Sequence, residues 1–371
     1  METAVRRTGP LRLLRADPLR AVRDGARRVA EAVTTPLVPA DYLDVLDPLW
    51  SSADLRGRVV AVHAETGDAA TLVIKPGRGW RPHVPGQYVR LGVDVDGVRQ
   101  WRSYSLTSVP GRPDGCLAVT VKAIPGGTVS EHLVRRTAVG TVVQLEAAAG
   151  EFVLPRPRPA KVLFVSAGSG ITPVMGMLRD AVDELEDVVV VHSAPREADV
   201  IFAAELRGLA ARGRVRLVLR ETAVDGRLEP DQLAELVPDV GDRVTWACGP
   251  ADLLDALERR FAQEGIADRL HTERFRTQVL APGDGGTVTF SRTGRTVEAD
   301  GSTALLDAGE AAGVLMPSGC RMGICFGCVV PLREGAVRDL RTGELTSAAP
   351  GDGVIIQTCV SAAAGACDID L

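Results

Sequence analysis

Three cysteines fall within nine residues, Cys320-Arg321-Met322-Gly323-Ile324-Cys325-Phe326-Gly327-Cys328, and Cys359 follows after thirty intervening residues. The pattern C-x4-C-x2-C…C is the spacing of a plant-type [2Fe–2S] centre. Two irons need four thiolates converging from different directions, so a tight loop supplies three and a distant strand the fourth. Gly319, Gly323 and Gly327 let such a loop turn sharply and aim N–H groups at the sulfurs. The competing chemistry is zinc held by four thiolates. Such sites usually come as two C-x2-C pairs, and no second pair exists here. Seven cysteines is an odd number and a poor fit to a disulfide framework, so the cluster points to metal in a reducing compartment. Cys116 and Cys367 read as small buried hydrophobes.

Two further segments could do chemistry. Val165-Ser166-Ala167-Gly168-Ser169-Gly170-Ile171-Thr172-Pro173 joins an apolar run to a helical stretch. Gly168 and Gly170 allow close approach of a phosphate. Thr172 is a natural N-cap and Pro173 a natural first helical residue, so the helix N-terminus would face the anion. The third glycine of the dinucleotide fingerprint is absent, and nothing resembles the G-K-[ST] of a P-loop. By itself the segment also suits a tight turn with no ligand. In Arg102-Ser103-Tyr104-Ser105-Leu106-Thr107, alternation puts Arg102, Tyr104 and Leu106 on one face and Ser103, Ser105 and Thr107 on the other. That offers a cation for a phosphate, a ring to stack and hydroxyls at its edge. By itself it also suits an ordinary exposed strand.

These segments need scaffolds, and the chain is long enough for two or three: 371 residues, 45% hydrophobic and 25% charged. No apolar run reaches the ~18 residues of a membrane span. A net charge of −5 argues against wholesale nucleic-acid binding. Residues 1–55 form a basic N-terminal extension, with eight arginines against three acids in the first thirty. From Asp17 and Pro18 onward, Leu19, Val22, Ala26, Val29 and Val33 recur at helical spacing. The choices there are a solvated helix packed on the body, a basic contact with a membrane surface or partner, or a mitochondrial transit peptide. Residues 56–156 are punctuated by Gly and Pro between short alternating runs, including Val59–Val62, Gln87–Leu91 and Leu117–Val121. They predict a small antiparallel barrel. Residues 157–275, opening on the Pro-rich stretch Pro155–Pro159, switch to strand–helix alternation. Strands at Val162–Val165, Val188–Val191, Val215–Leu219 and Val244–Ala247 predict an α/β unit with a parallel sheet. Residues 276–286 read as a glycine-rich linker. Residues 287–371 form an α+β unit with a hairpin turning at Thr293-Gly294 and a helix over 302–312.

Taken in order, these motifs resemble the ferredoxin–NADP reductase superfamily fused to a C-terminal ferredoxin of β-grasp type, over roughly residues 56–371. The resemblance implies that Arg102, Tyr104 and Ser105 hold a flavin, with Arg102 on its phosphates and Ser105 near N5. Gly126-Gly127-Thr128-Val129-Ser130 is similar to a second flavin-phosphate segment acting through backbone N–H groups and Ser130, which implies FAD. Gly168, Gly170, Thr172 and Pro173 would take the nicotinamide dinucleotide, and Cys248-Gly249-Pro250 its nicotinamide side. Glu273-Arg274-Phe275 would close the nucleotide domain, with Phe275 near the flavin. Ser105 and Glu273 are the candidate catalytic residues: Ser105 for charge near N5, Glu273 for proton relay or positioning. Cys320, Cys325, Cys328 and Cys359 would be the metal ligands. Ser193, Arg196 and Arg220 could converge on a 2′-phosphate, which predicts NADPH as co-substrate.

The implied function is electron transfer from NADPH through FAD and a [2Fe–2S] cluster. Nicotinamide releases two electrons together, a cluster takes one at a time, and a flavin can do both. Thr34–Tyr42 and the loop Cys320–Cys325 are similar to the actinobacterial NADPH-dependent reductases that partner acyl-CoA desaturases. The expected partner is therefore an iron-dependent desaturase or oxygenase, with an aromatic-ring or steroid hydroxylase as the alternative. A free-flavin or quinone reductase and a non-catalytic zinc scaffold are the competing classes. No nucleic acid is expected. The expected location is cytoplasmic, with peripheral contact to the inner face of the cell membrane through the basic segment.

Overall fold

A computed structural model describes residues 47–50, 54–275, 281–319, 321–323 and 325–371. The amphipathic pattern after Asp17 and the motif Thr34–Tyr42 lie outside the described residues.

The first sheet holds β1 (Arg56–Thr66), β2 (Ala69–Pro76), β3 (Tyr88–Val95), β4 (Val98–Ser105), β5 (Leu117–Lys122) and β6 (Val142–Leu145). The strands are antiparallel in the order β4-β3-β6-β1-β2-β5. Val89, Leu91, Val93 and Val95 of β3 are buried, while Tyr88, Arg90 and Asp94 lie between them. This is the period-2 signature of a sheet with one packed face. The edges meet at a bridge between Leu106 and Val119, which closes the sheet toward a barrel. Helix α1 (Thr128–Arg135) packs Val129 and Leu133 into its core.

The second sheet is parallel. It contains β7 (Lys161–Ala167), β8 (Asp187–Ala194), β9 (Arg216–Glu221), β10 (Val244–Cys248) and β11 (Leu270–Glu273), in the order β11-β10-β7-β8-β9. Helices α2 (Ile171–Ala181), α3 (Ala203–Ala211), α4 (Thr222–Asp225), α5 (Pro230–Leu236) and α6 (Ala251–Gln263) accompany it. Both faces are covered, so β7 and β8 are apolar almost throughout. Arg243 is buried and ties the start of β10 to Asp187 and Asp239. The strand order reverses between β7 and β10, so a ligand crevice belongs at the carboxyl ends of those two strands.

The third unit comprises β12 (Gly286–Phe290), β13 (Arg295–Ala299), α7 (Leu305–Ala311), β14 (Val329–Asp339), β15 (Leu345–Ala348), β16 (Ile355–Gln357) and β17 (Ser361–Ile369). The main sheet runs β13-β12-β17-β14-β15, with β16 paired to β14 and β17 parallel to β12. The observed fold is thus the expected one: an antiparallel flavin-type sheet, a parallel nucleotide-type sheet and a C-terminal α+β unit. Residues 281–286, whose composition reads as a linker, are hydrogen-bonded into this last unit. Ala281 N–H donates to Leu340 O, Gly283 N–H to Gly301 O and Gly285 N–H to Ala363 O. Glycine makes this possible, because a side chain on Gly283 would meet the Ala363 carbonyl.

Candidate functional site

The turn between β7 and α2 is tighter than its sequence predicts. Gly168–Gly170 form a 3-10 turn that runs straight into the helix, which therefore starts at Ile171 with Gly170 as N-cap. Thr172 is inside the first turn and is not the cap. Its hydroxyl donates back to Ser169 O at 2.9 Å. Pro173 sits at the third helical position, where its missing N–H still costs nothing. Gly168 has φ +55°, which favours glycine. A side chain on Gly170 would collide with the Cys248 carbonyl, so this glycine lets the loop lie against Cys248-Gly249 on neighbouring β10. The two nucleotide-side segments thus meet at the strand reversal.

Glu273 ends β11, paired with Cys248. Burial pushes its carboxyl up to about 8, and its Oε2 is buried with no hydrogen-bond partner. Burial, and then the nearby Glu273 charge, raises the Cys248 thiol, which is inert. Arg274 turns away to Asp255 and Glu258, and Phe275 is partly exposed. On the other side of the crevice Ser193 is opposite Arg220 across β8 and β9. The Ser193 hydroxyl is buried and unpaired, Arg220 donates to Asp225 O at 2.8 Å, and Arg196 is exposed.

On the barrel, Arg102 donates to Trp101 O at 2.8 Å. Tyr104 packs against the barrel core. Its phenol is raised by burial, so it stays protonated. The Ser103 and Ser105 hydroxyls are buried without partners. Leu106 and Thr107 are fully buried, so that end of the segment is core and not an exposed face. Gly126 and Gly127 lead into α1, with Gly127 as its N-cap. The Ser130 hydroxyl serves the turn itself, accepting from Ile124 N–H at 3.1 Å and donating to Gly127 O at 3.3 Å.

Buried hydroxyls and a carboxylate oxygen without protein partners are uncommon in folded proteins, and a bound group is one way to satisfy them. Ser105, Ser193 and Glu273 meet that description, and their donors and acceptors suit a flavin and a nicotinamide nucleotide.

The cysteine loop is held from several sides. Cys328 and Cys359 come together, the Cys328 thiol donating to Cys359 Sγ at 3.2 Å. The contact lowers the Cys328 thiol below its ordinary value, against burial, because Cys359 can donate in turn to the Cys328 thiolate. Gly327 N–H donates to Cys325 Sγ at 3.4 Å. Arg341 and Gln357 both donate to Gly323 O at 3.1 Å, and Arg321 is paired with Asp307 and Glu310 of α7. Cys320 lies outside the described residues, and among those described no group of three or more His, Cys, Asp or Glu converges as a metal site. The donor set still fits an iron–sulfur centre: reduced thiols, one pair in contact, and a backbone N–H aimed at sulfur. Of the cysteines read as buried hydrophobes, Cys367 is buried. Cys116 is only half-buried and donates weakly to Asp114 O.

Three family profiles match in sequence order. They are the "Oxidoreductase FAD-binding domain" over residues 82–154, the "Oxidoreductase NAD-binding domain" over 164–258 and the "2Fe-2S iron-sulfur cluster binding domain" over 288–364. An NADPH oxidoreductase of Mycobacterium tuberculosis is 52% identical over 352 residues, 93% of this chain and 92% of that protein. The chain belongs to the ferredoxin–NADP reductase-like flavoproteins that carry a [2Fe–2S] domain. The reductase is also 32% identical to the ferredoxin reductase component of a 3-ketosteroid-9-alpha-monooxygenase from Mycolicibacterium smegmatis, over 78% of this chain and 89% of that one. Its fold matches phthalate dioxygenase reductase with TM-score 0.59 at 22% identity, covering 85% of this chain and 97% of that one. It is therefore an oxidoreductase that moves electrons between a nicotinamide nucleotide, FAD and a [2Fe–2S] cluster.

Sequence reasoning missed several residues that frame the site. Arg179 of α2 donates to Thr107 O at 2.5 Å and so ties the nucleotide domain to the barrel. His192 hydrogen-bonds the Ser166 hydroxyl at 2.9 Å, and burial lowers its pKa to about 4, so it is neutral. Arg90 reaches the cysteine loop from the barrel. Its position on an alternating strand marks it as outward-facing, but nothing in the sequence names a partner more than two hundred residues away.

Proposed function

We propose that this reductase takes hydride from NADPH and passes electrons singly to a separate oxygen-activating iron enzyme, a membrane-bound fatty-acyl desaturase. The observation that carries the electron path is convergence. The flavin motif faces both other units: Arg179 of α2 donates to Thr107 O just past its strand, and Arg321, Glu310 and Asp307 of the C-terminal unit lie close enough for their charges to act on Arg102. When bound, the flavin converts a two-electron donor into one-electron deliveries. Arg102 would neutralise phosphate and Ser105 would donate a hydrogen bond near N5. The neutral Glu273 carboxyl would hold a proton at Oε2 beside the nicotinamide. Ser193, Arg196 and Arg220 would read a 2′-phosphate. Cys320, Cys325, Cys328 and Cys359 would hold the cluster.

Two features support an external acceptor. Phe326 in the cysteine loop is 63% exposed with φ +56°, and Ile355 is 66% exposed nearby. Apolar side chains in water beside a one-electron centre suit transient docking. The C-terminal unit, residues 287–371, carries ten acids against six arginines, which steers it toward a basic partner surface. The eight arginines of the first thirty residues suit an anionic leaflet, at about 1 kcal/mol per residue near the surface. Among the described residues no helix is long and apolar enough to cross a membrane. The second reading, a steroid or aromatic-ring hydroxylase as acceptor, is favoured by the name of the M. smegmatis relative. Reconstituted turnover separates the two. The desaturase reading expects NADPH-driven desaturation in membranes that slows on deletion of residues 1–33, while NADPH-to-dye activity stays. Support of a soluble hydroxylase alone, without binding to anionic vesicles, would sink it.

A further inference from the structure

Arg90 lies on the outer side of β3, opposite Ser103 of the flavin-motif strand. Its Nη1 donates to both carboxylate oxygens of Glu146, at 2.7 and 2.8 Å. The guanidinium lies 5.3 Å from the centre of the Trp101 ring. The side chain is 12% exposed and its Nε is buried without a partner. The other arm enters the cysteine loop. A methyl group on Gly319 would lie 2.7 Å from Arg90 Nη2 and 2.5 Å from Cys325 Sγ, so guanidinium and sulfur are no further apart than those two lengths end to end. A methyl on Gly327 would lie 3.2 Å from the same nitrogen. Both glycines leave room for one buried cation beside one thiol.

Resting on the [2Fe–2S] reading of this loop, we propose that Arg90 is a positioning residue that holds the loop against the outer side of the barrel and sets the reduction potential of the cluster, with Glu146 as its counterweight. Reduction adds one negative charge to the cluster, and a fixed cation in a poorly solvated contact favours the reduced form. Glu146 partly cancels that cation and has the opposite sign of effect. The two side chains thus predict shifts in opposite directions, which a merely structural role does not.

The test is an EPR-monitored redox titration of the full-length purified protein. Arg90→Gln should lower the cluster midpoint potential by about tenfold in the one-electron equilibrium, ~59 mV. Arg90→Lys should stay nearer the wild type. Glu146→Gln should raise the potential. If Arg90→Gln and Glu146→Gln leave the potential unchanged, or move it in the same direction, the proposal is overturned. If Arg90→Gln does not fold, Glu146→Gln decides alone: a raised potential supports the proposal and an unchanged or lowered one overturns it. Wild-type protein without two irons and a [2Fe–2S] EPR signal on reduction would instead defeat the cluster reading itself.

Discussion

Glu273 shows how much a single side chain can reveal. A carboxyl whose folded pKa is raised from 4.5 to about 8 binds its proton more tightly in the folded state than in the unfolded one. Stability from this group is therefore complete below about pH 4.5 and is lost as pH rises to about 8, by roughly 1.4 kcal/mol for each pH unit in that window. Flavin-free Glu273→Gln protein should lose that slope and melt higher than wild type at about pH 9, with the two similar near pH 5. Thermal melts across pH check this, and parallel curves would show that Glu273 is charged in the fold. Cys325 makes a second prediction at the same scale. Its thiolate cannot be replaced by a neighbour, because Cys328 and Cys359 are already engaged with each other. Cys325→Ala should purify with flavin and NADPH-to-dye activity but without the cluster's visible absorbance or EPR signal. Visible spectra and iron analysis decide.

At the scale of elements, the loop from β7 to α2 and the end of β10 share one space. Gly170 occupies it without a side chain, and a methyl there would run into the Cys248 carbonyl. That obstacle is backbone, so it cannot rotate away. Gly170→Ala should destabilise the nucleotide domain by about 1–3 kcal/mol, the usual cost of overpacking. It should also raise the KM for NADPH at least tenfold, since the displaced loop no longer presents its N–H groups. A melt and a nucleotide titration check both effects. Gly168→Ala meets no atom within 4 Å, so its cost comes only from the φ of +55°. It should be milder than Gly170→Ala in the melt.

At the scale of the molecule, electron transfer needs the barrel and the nucleotide sheet in contact. Helix α2 supplies the joint: Arg179 donates to Thr107 O, and Gly176 brings the helix against Leu106. A side chain at Gly176 would meet the Leu106 carbonyl oxygen. Gly176→Val should wedge the two domains apart. It should slow flavin reduction by NADPH at least tenfold in stopped flow, because a misplacement of about 1 Å can cost 10²-fold. The cluster's EPR signal should not change. An unaltered reduction rate would mean that the joint does not position the reactants.

The cysteine spacing, the glycine-bounded strand–helix turn and the alternation of β3 were legible from the sequence, because each reflects local constraints. Cluster chemistry needs its thiolates at set intervals, a buried parallel strand must be apolar throughout, and a half-buried strand must alternate. These, with the order of motifs, already implied three units and their carriers. Local reasoning reached its limit at Thr172, which looked like a cap until the 3-10 turn at Gly168–Gly170 brought the helix start forward. It failed again at Leu106 and Thr107, which bridge and bond to β5 as the sheet closes. What only the tertiary structure decided are meetings between distant residues: Glu273 with Cys248, Arg179 with Thr107, and Arg90 with the cysteine loop. Their energies depend on burial and through-space charge. Neither is written in any one stretch of chain, because both arise only when separate domains exclude water from a shared surface.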